Sequence, residues 1–213
     1  MLSAIIVFSQ DSAWKKMIID ETLTISFPGS VTKIDTSLVK EGKKWRFKAY
    51  KYDNGASTFA LIVTPGEVNM NVDNKETWKK ALTEISKGAL KSFSQKGFSC
   101  SPSDTTIDKI PCKKVTCTNE DISMLNSYLF LVNDKLYSLQ YASLDQETVL
   151  LDTSQLKLFL NSVHFKKDAI KEMQFESKAF SDGYKFGYVL GSLIVVVGIV
   201  LVIMFFVRRA KRL

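Results

Sequence analysis

Hydrophobic residues recur along this chain with a period of two in some stretches and a helical period in others, and near the end they run together without a break. Residues 21–30, ETLTISFPGS, alternate with Leu23, Ile25 and Phe27 on one side and stop at Pro28–Gly29. Such alternation predicts a strand, and Pro-Gly ends it. A second strand is predicted over 45–52, where Trp45, Phe47 and the neighbouring tyrosines favour a pleated surface. Asp53-Asn54-Gly55 turns the chain into Ser57–Thr64, with Phe59, Leu61 and Val63 alternating, so these two strands should form a hairpin. After Pro65–Gly66 and a polar loop, a helix is expected over 74–96. Asp73 would cap it with Glu76 three residues on, Trp78, Leu82, Ile85, Ala89 and Phe93 would form its buried stripe, and Gly97 would end it. Strands follow at 98–107 and 113–118, joined by a turn containing Pro111. A hairpin is then predicted at 127–132 and 135–142 about Asn133-Asp134. In it Tyr128, Phe130 and Val132 alternate, while Tyr137, Leu139 and Tyr141 share one face of the second strand and Leu136 points to the other, which implies material on both sides of the sheet. A helix over 145–160 carries Val149, Leu156, Phe159 and Leu160, and a short strand at 162–165 closes the domain. The expected fold is α+β: one antiparallel sheet of six or seven strands flanked by two helices.

The unbroken run is 186–207, FGYVLGSLIVVVGIVLVIMFFV, 22 residues without a charge. As a helix it would span about 33 Å, the thickness of a hydrocarbon core, so a single transmembrane helix is expected. Tyr184, Phe186 and Tyr188 at one end and Phe205 and Phe206 at the other match interfacial aromatic belts. Arg208, Arg209, Lys211 and Arg212 follow directly, and such clusters stay on the cytoplasmic side. The tail 208–213 is therefore expected inside and the domain outside, in the periplasm if the source is bacterial. The rival topology, a tail anchor with a cytosolic domain, would carry those four charges across. Gly187 and Gly191 form G-x-x-x-G and Gly198 falls seven residues on. Self-association of the helix into a homo-oligomer is one reading, and the general abundance of glycine in membrane helices is the other. An exported domain needs a signal. Residues 1–18 carry a short apolar run, Leu2 to Phe8, without a basic start, which reads as the remnant of a signal peptide with a cleavage zone near Ser9–Gln10, or as an N-terminal strand. The domain is then 19–166, with a charged stalk at 167–185 leading to the membrane.

Charge changes this picture little. Of the net +7, four charges sit in the tail, leaving +3 spread along the rest without an aromatic-interleaved basic stripe, so nucleic acid is not an expected partner. The charged stretch 40–44 reads as an exposed loop. Cys100, Cys112 and Cys117 lack zinc spacing, and the single histidine, His164, is remote in sequence, so no metal or other cofactor is expected. In an exported domain one disulfide could join two of the three, with Cys100 to Cys112 or Cys117 favoured over Cys112–Cys117, whose odd spacing opposes them on a strand. The competing reading makes all three small apolar fillers.

The motifs SFPGSV at 26–31, KSFSQKGF at 91–98, YLFLVNDKLYSLQY at 128–141 and FLNSVHF at 159–165 resemble those of the PsbP-like family, over roughly 19–166. The chain departs from the usual Gly-rich turn, reading DKIPCKKV at 108–115. The resemblance implies an α/β/α sandwich that binds or scaffolds proteins, and it carries over no functional residue. Nor does the sequence hold a phosphate loop or a G-x-S-x-G elbow. His164, between Val163 and Phe165, reads as structural, and Glu120 and Asp121 as solvated. No enzyme is expected. Two functions fit: a membrane-anchored extracytoplasmic interaction or scaffolding module that docks an envelope protein, or a carrier or sensor of a small apolar ligand held between sheet and helix by residues such as Trp78, Phe93 and Tyr137.

Overall fold

The computed structural model describes residues 14–40, 43–64, 75–119, 124–132, 135–143 and 149–166. Seven strands form one wholly antiparallel sheet in the order β3-β4-β5-β9-β8-β7-β6. β3 (Thr32–Lys40), β4 (Lys43–Asp53) and β5 (Ser57–Thr64) form a meander. Helix α1 (Lys75–Ser94) carries the chain to the far edge. β6 (Ser99–Ile107), β7 (Ile110–Thr118), β8 (Met124–Val132) and β9 (Lys135–Ser143) then return until β9 pairs with β5, Leu61 opposite Leu139.

The strands nearest the centre are apolar on both faces, and each face has its own cover. On one side Trp45, Phe47, Ile62, Val115, Leu129 and Leu136 pack with Trp78, Leu82, Ile85, Ala89 and Phe93 of α1. On the other side Phe59, Leu61, Phe130, Tyr137 and Tyr141 pack under a second layer. That layer is helix α2 (Val149–Asn161) and a three-stranded sheet of β1 (Lys15–Ile18), β2 (Leu23–Phe27) and β10 (His164–Phe165), with β2 in the middle. Leu23, Ile25 and Phe27 supply its apolar face, and Phe27 meets Phe159 of α2 with ring centroids 5.4 Å apart. The motif at 26–31 has a packing reason: a Cβ on Gly29 would lie 2.5 Å from Cε2 of Tyr52, so any side chain there would force that ring to shift.

α1 ends as its sequence requires. Gly97 takes φ +82°, its N–H donates to the Ser94 carbonyl at 3.1 Å and the Phe98 N–H to the Phe93 carbonyl at 3.2 Å. This is the double bond of a Schellman cap, with Phe93 and Phe98 supplying its apolar contact at 5.9 Å.

The structure corrects several expectations. The antiparallel α+β class holds, but the strands at 21–30 and 162–165 leave the main sheet and pair with each other, Thr24 opposite His164. β1 lies within 1–18, because four residues there pair with β2, Met17 opposite Ile25. β3 is a strand that the sequence pattern does not predict, and Lys40, Lys43 and Lys44 belong to the facing ends of β3 and β4 rather than to a loop. Pro111 lies inside β7. The turn before it is Asp108–Lys109, both with positive φ (47° and 65°), so two non-glycine residues adopt the left-handed backbone there. Asp108 is held there by accepting the Phe165 N–H at 2.7 Å.

Among the described residues no helix is long and apolar enough to cross a membrane. The 186–207 segment, its Gly187, Gly191 and Gly198, the Arg208–Arg209–Lys211–Arg212 cluster, residues 1–13, the Asp73 cap, the turn at 133–134 and Glu120–Asp121 lie outside the described residues.

Candidate functional site

The two-residue turn at Asp108–Lys109 fixes the register of the β6–β7 hairpin. It places Asp104 opposite Lys113 and Thr106 opposite Pro111. Lys113 Nζ meets Asp104 Oδ1 at 2.6 Å, the lysine mostly covered and the carboxylate mostly exposed. Facing this end of the hairpin are Trp78, Lys79 and Leu82 from the start of α1, and together they border a cleft of about 410 Å³ that also touches Thr105, Thr106 and Cys112. The Trp78 ring is fixed, its Nε1 donating to the Leu131 carbonyl of β8 at 3.3 Å. The cleft thus offers an apolar floor of Trp78, Leu82 and Pro111, with Thr106 and one ion pair on the same face of the hairpin. Such a mixture suits a peptide segment, whose backbone needs polar partners while its side chains seek apolar ones.

The sequence did not point to Asp104, Thr105, Thr106 or Lys113. The signal was the symmetry of the hairpin: Asp104 and Lys113 are equidistant from the Asp108–Lys109 turn. Placing the turn at Pro111 shifts every pairing and separates them.

The structure joins Cys100 to Cys117, directly opposed on β6 and β7 with Cα atoms 4.1 Å apart, and leaves Cys112 as a buried free thiol. Burial, with a smaller contribution from Asp104, pushes that thiol up to about 12, so thiolate chemistry at neutral pH is disfavoured. His164 is exposed on β10. Among the described residues no group of three His, Cys, Asp or Glu side chains could hold a metal ion.

The residues suggested for an apolar ligand do not share a pocket. Trp78 and Phe93 belong to the core beneath α1, and Tyr137 belongs to the core on the opposite side of the sheet. Alternation along β9 is the reason: Tyr137 points away from the side to which Leu136 points.

Tyr137 is part of a polar cluster instead. Asp20 Oδ1 accepts the backbone N–H groups of Thr22 and Leu23 at 2.8 and 2.9 Å, and Oδ2 accepts the Tyr137 hydroxyl at 2.9 Å and Lys135 Nζ at 3.2 Å. Lys135 also donates to Glu21 Oε1 at 2.5 Å. Burial works against the Asp20 carboxylate, but the bonds from Thr22, Tyr137, Leu23 and Lys135 outweigh it and hold the carboxyl below its usual range. Burial and the facing Asp20 push the Tyr137 phenol up. Every atom described here has a partner, so the cluster pins the β1–β2 turn to β9 and offers nothing to a ligand.

No protein-family model matches this chain, and no curated protein does. Among solved structures, the solution structure of cyanobacterial PsbP (CyanoP) from Synechocystis sp. PCC 6803 is similar to it, at 10% sequence identity and a TM-score of 0.45, over 68% of this chain and 86% of that one. The similarity is to a structure of the family that the sequence motifs resemble.

Proposed function

We propose that this chain is a membrane-anchored, extracytoplasmic interaction module without catalytic activity, and that the cleft between α1 and the β6–β7 hairpin docks a segment of an envelope protein. The cleft carries the reading. It is open, half-polar and built on rigid elements, which suits a peptide and suits an apolar small molecule poorly. The Cys100–Cys117 disulfide favours an oxidising compartment, hence export of the domain. The anchor is 186–207, oriented by Arg208, Arg209, Lys211 and Arg212, with Gly187, Gly191 and Gly198 available for pairing between copies. Tethering would raise the local concentration of the module, so a weak contact in the cleft suffices.

A photo-crosslinking residue at Thr106, on the cleft, and another at Lys157, on α2 beyond the sheet, test the site in native membranes. One discrete adduct from Thr106 alone is expected. The same adduct from both positions, or none from Thr106, rules out docking at the cleft. Protease added to intact spheroplasts should digest the domain; protection that disappears only on lysis would put it in the cytosol.

A further inference from the structure

The meander at the other end of the sheet has two unlike faces. On β4, Trp45, Phe47 and Ala49 turn toward α1 and are buried, while Lys44, Arg46 and Lys48 turn the other way and are exposed. The register sets Lys33 opposite Tyr50, Asp35 opposite Lys48, Ser37 opposite Arg46 and Val39 opposite Lys44. Paired residues share a face. Among the described residues the outward face of the β3–β4 ribbon therefore gathers Lys33, Lys44, Arg46 and Lys48 against one carboxylate, Asp35. Val39 stands among them, 67% exposed. Among the described residues none of the four cations makes an ion pair. The second layer packs over β5, β9 and β8 and reaches β4 at Tyr50 and Tyr52; among the described residues nothing covers the ribbon face from Lys44 to Lys48.

Protection of a sheet edge would explain charges on β3, the edge strand. It does not explain Lys48, at which β4 is hydrogen-bonded on both sides, to β3 and to β5; at Lys44 and Arg46 β4 pairs with β3 alone, yet both share one face with Lys48. We infer that the outward face of the β3–β4 ribbon docks on an anionic lipid surface, with Lys33, Lys44, Arg46 and Lys48 at the headgroups and Val39 dipping toward the acyl boundary. Charge complementarity names the occupant, and so does reach. The nineteen residues at 167–185 separate the last strand from the apolar segment, and even fully extended they span at most about 65 Å, so the domain stays close to the bilayer. This use of reach rests on the anchor proposed above. Each cation near an anionic surface strengthens docking about fivefold, and the gain falls as salt shortens the screening length.

Acetylation footprinting of the full chain tests this. The chain is placed in nanodiscs of phosphatidylcholine, or of phosphatidylcholine with a one-third share of phosphatidylglycerol, and its lysines are followed one by one by mass spectrometry. On the anionic discs Lys33, Lys44 and Lys48 should react several-fold more slowly, while Lys79 on α1 and Lys109 in the β6–β7 turn keep their rates. High salt or Arg46→Glu should restore reactivity at the three lysines. Equal rates on both lipids overturn the inference, and so does uniform slowing at every lysine. Protection seen in native membranes but absent on anionic discs also overturns it, and assigns the face to an acidic protein. Release of the chain by alkaline carbonate would defeat the anchor alone, because protection is read on whatever chain co-floats with the anionic lipid; a chain that neither integrates nor co-floats defeats both.

Discussion

Removing the Asp20 carboxylate should cost far more than its place in a short turn suggests. In Asp20→Ala four donors lose their acceptor: the N–H groups of Thr22 and Leu23, the Tyr137 hydroxyl and one of the bonds of Lys135. At about 1 kcal/mol for each part-buried donor left unpaired, and less for Lys135 because Glu21 still holds it, the loss is about 3–4 kcal/mol. Asp20→Asn keeps an acceptor for the two backbone groups but turns an amide toward Lys135, so about 1–2 kcal/mol is expected. Tyr137→Phe alone should cost about 1 kcal/mol, and a double-mutant cycle with Asp20→Ala should return a coupling of similar size. Urea unfolding of the full chain in detergent, followed by tryptophan fluorescence, reads these values. With a slope of about 2 kcal/mol/M, Asp20→Ala should lower the midpoint by about 1.5 M. The pH dependence has a definite sign. The carboxyl of Asp20 is held below its ordinary 3.8, so its stabilisation is complete above that value and is lost as pH falls through the lower, folded one. Asp20→Asn should flatten that acid-side loss. A cost under about 1 kcal/mol for Asp20→Ala, or zero coupling to Tyr137, would refute the cluster as the pin between the layers.

Three further outcomes are expected. Reducing the Cys100–Cys117 bridge, which closes a segment of sequence separation 17, should cost up to about 3 kcal/mol and expose β6 to protease; an unchanged urea midpoint after verified reduction would contradict this. Cys112 should resist maleimide in the native protein and react fully once urea unfolds it, since the thiol is buried and titrates only near 12; rapid native labelling would show the site to be open. Gly97→Ala forces a side chain into φ +82° and should cost about 1 kcal/mol, seen as an earlier urea midpoint; no change would mean that the cap relaxes freely.

Where local pattern and tertiary packing agree, the sequence was easy to read. α1 was legible because Trp78, Leu82, Ile85, Ala89 and Phe93 all face one core and Gly97 closes the helix. β5 was legible from Phe59, Leu61 and Val63, and from the Asp53–Gly55 turn, where the Asn54 side chain accepts the Ser57 N–H at 2.7 Å. β3 was not, because an edge strand buries little: Ile34 and Leu38 are its only apolar residues toward α1, Val39 is exposed on the other face, and the other described side chains are polar and exposed. Proline misled the reading of the β6–β7 turn. Pro111 is tolerated in β7 because pairing with β8 begins only at Lys113, which leaves its missing N–H without consequence on that side. The candidate cleft depends on that register, so it was hidden with it. The second sheet could not be read locally at all, since β2 and β10 pair across most of the domain, Leu23 with Phe165.

Whatever lies beyond Lys166 pulls on the domain through β10, and that makes β10 a mechanical element. Two residues of pairing to β2 would unzip under a small load. Phe165, however, is wedged between Phe130 and Tyr137, its ring 5.8 Å from each, and its backbone is latched to Asp108 while Lys166 N–H holds the Thr22 carbonyl at 3.1 Å. Tension on the chain must therefore draw an aromatic stopper out of the core before it can peel the strand. The domain can bear a tug at its exit point without surrendering its fold, which is the property a mooring line needs at its cleat.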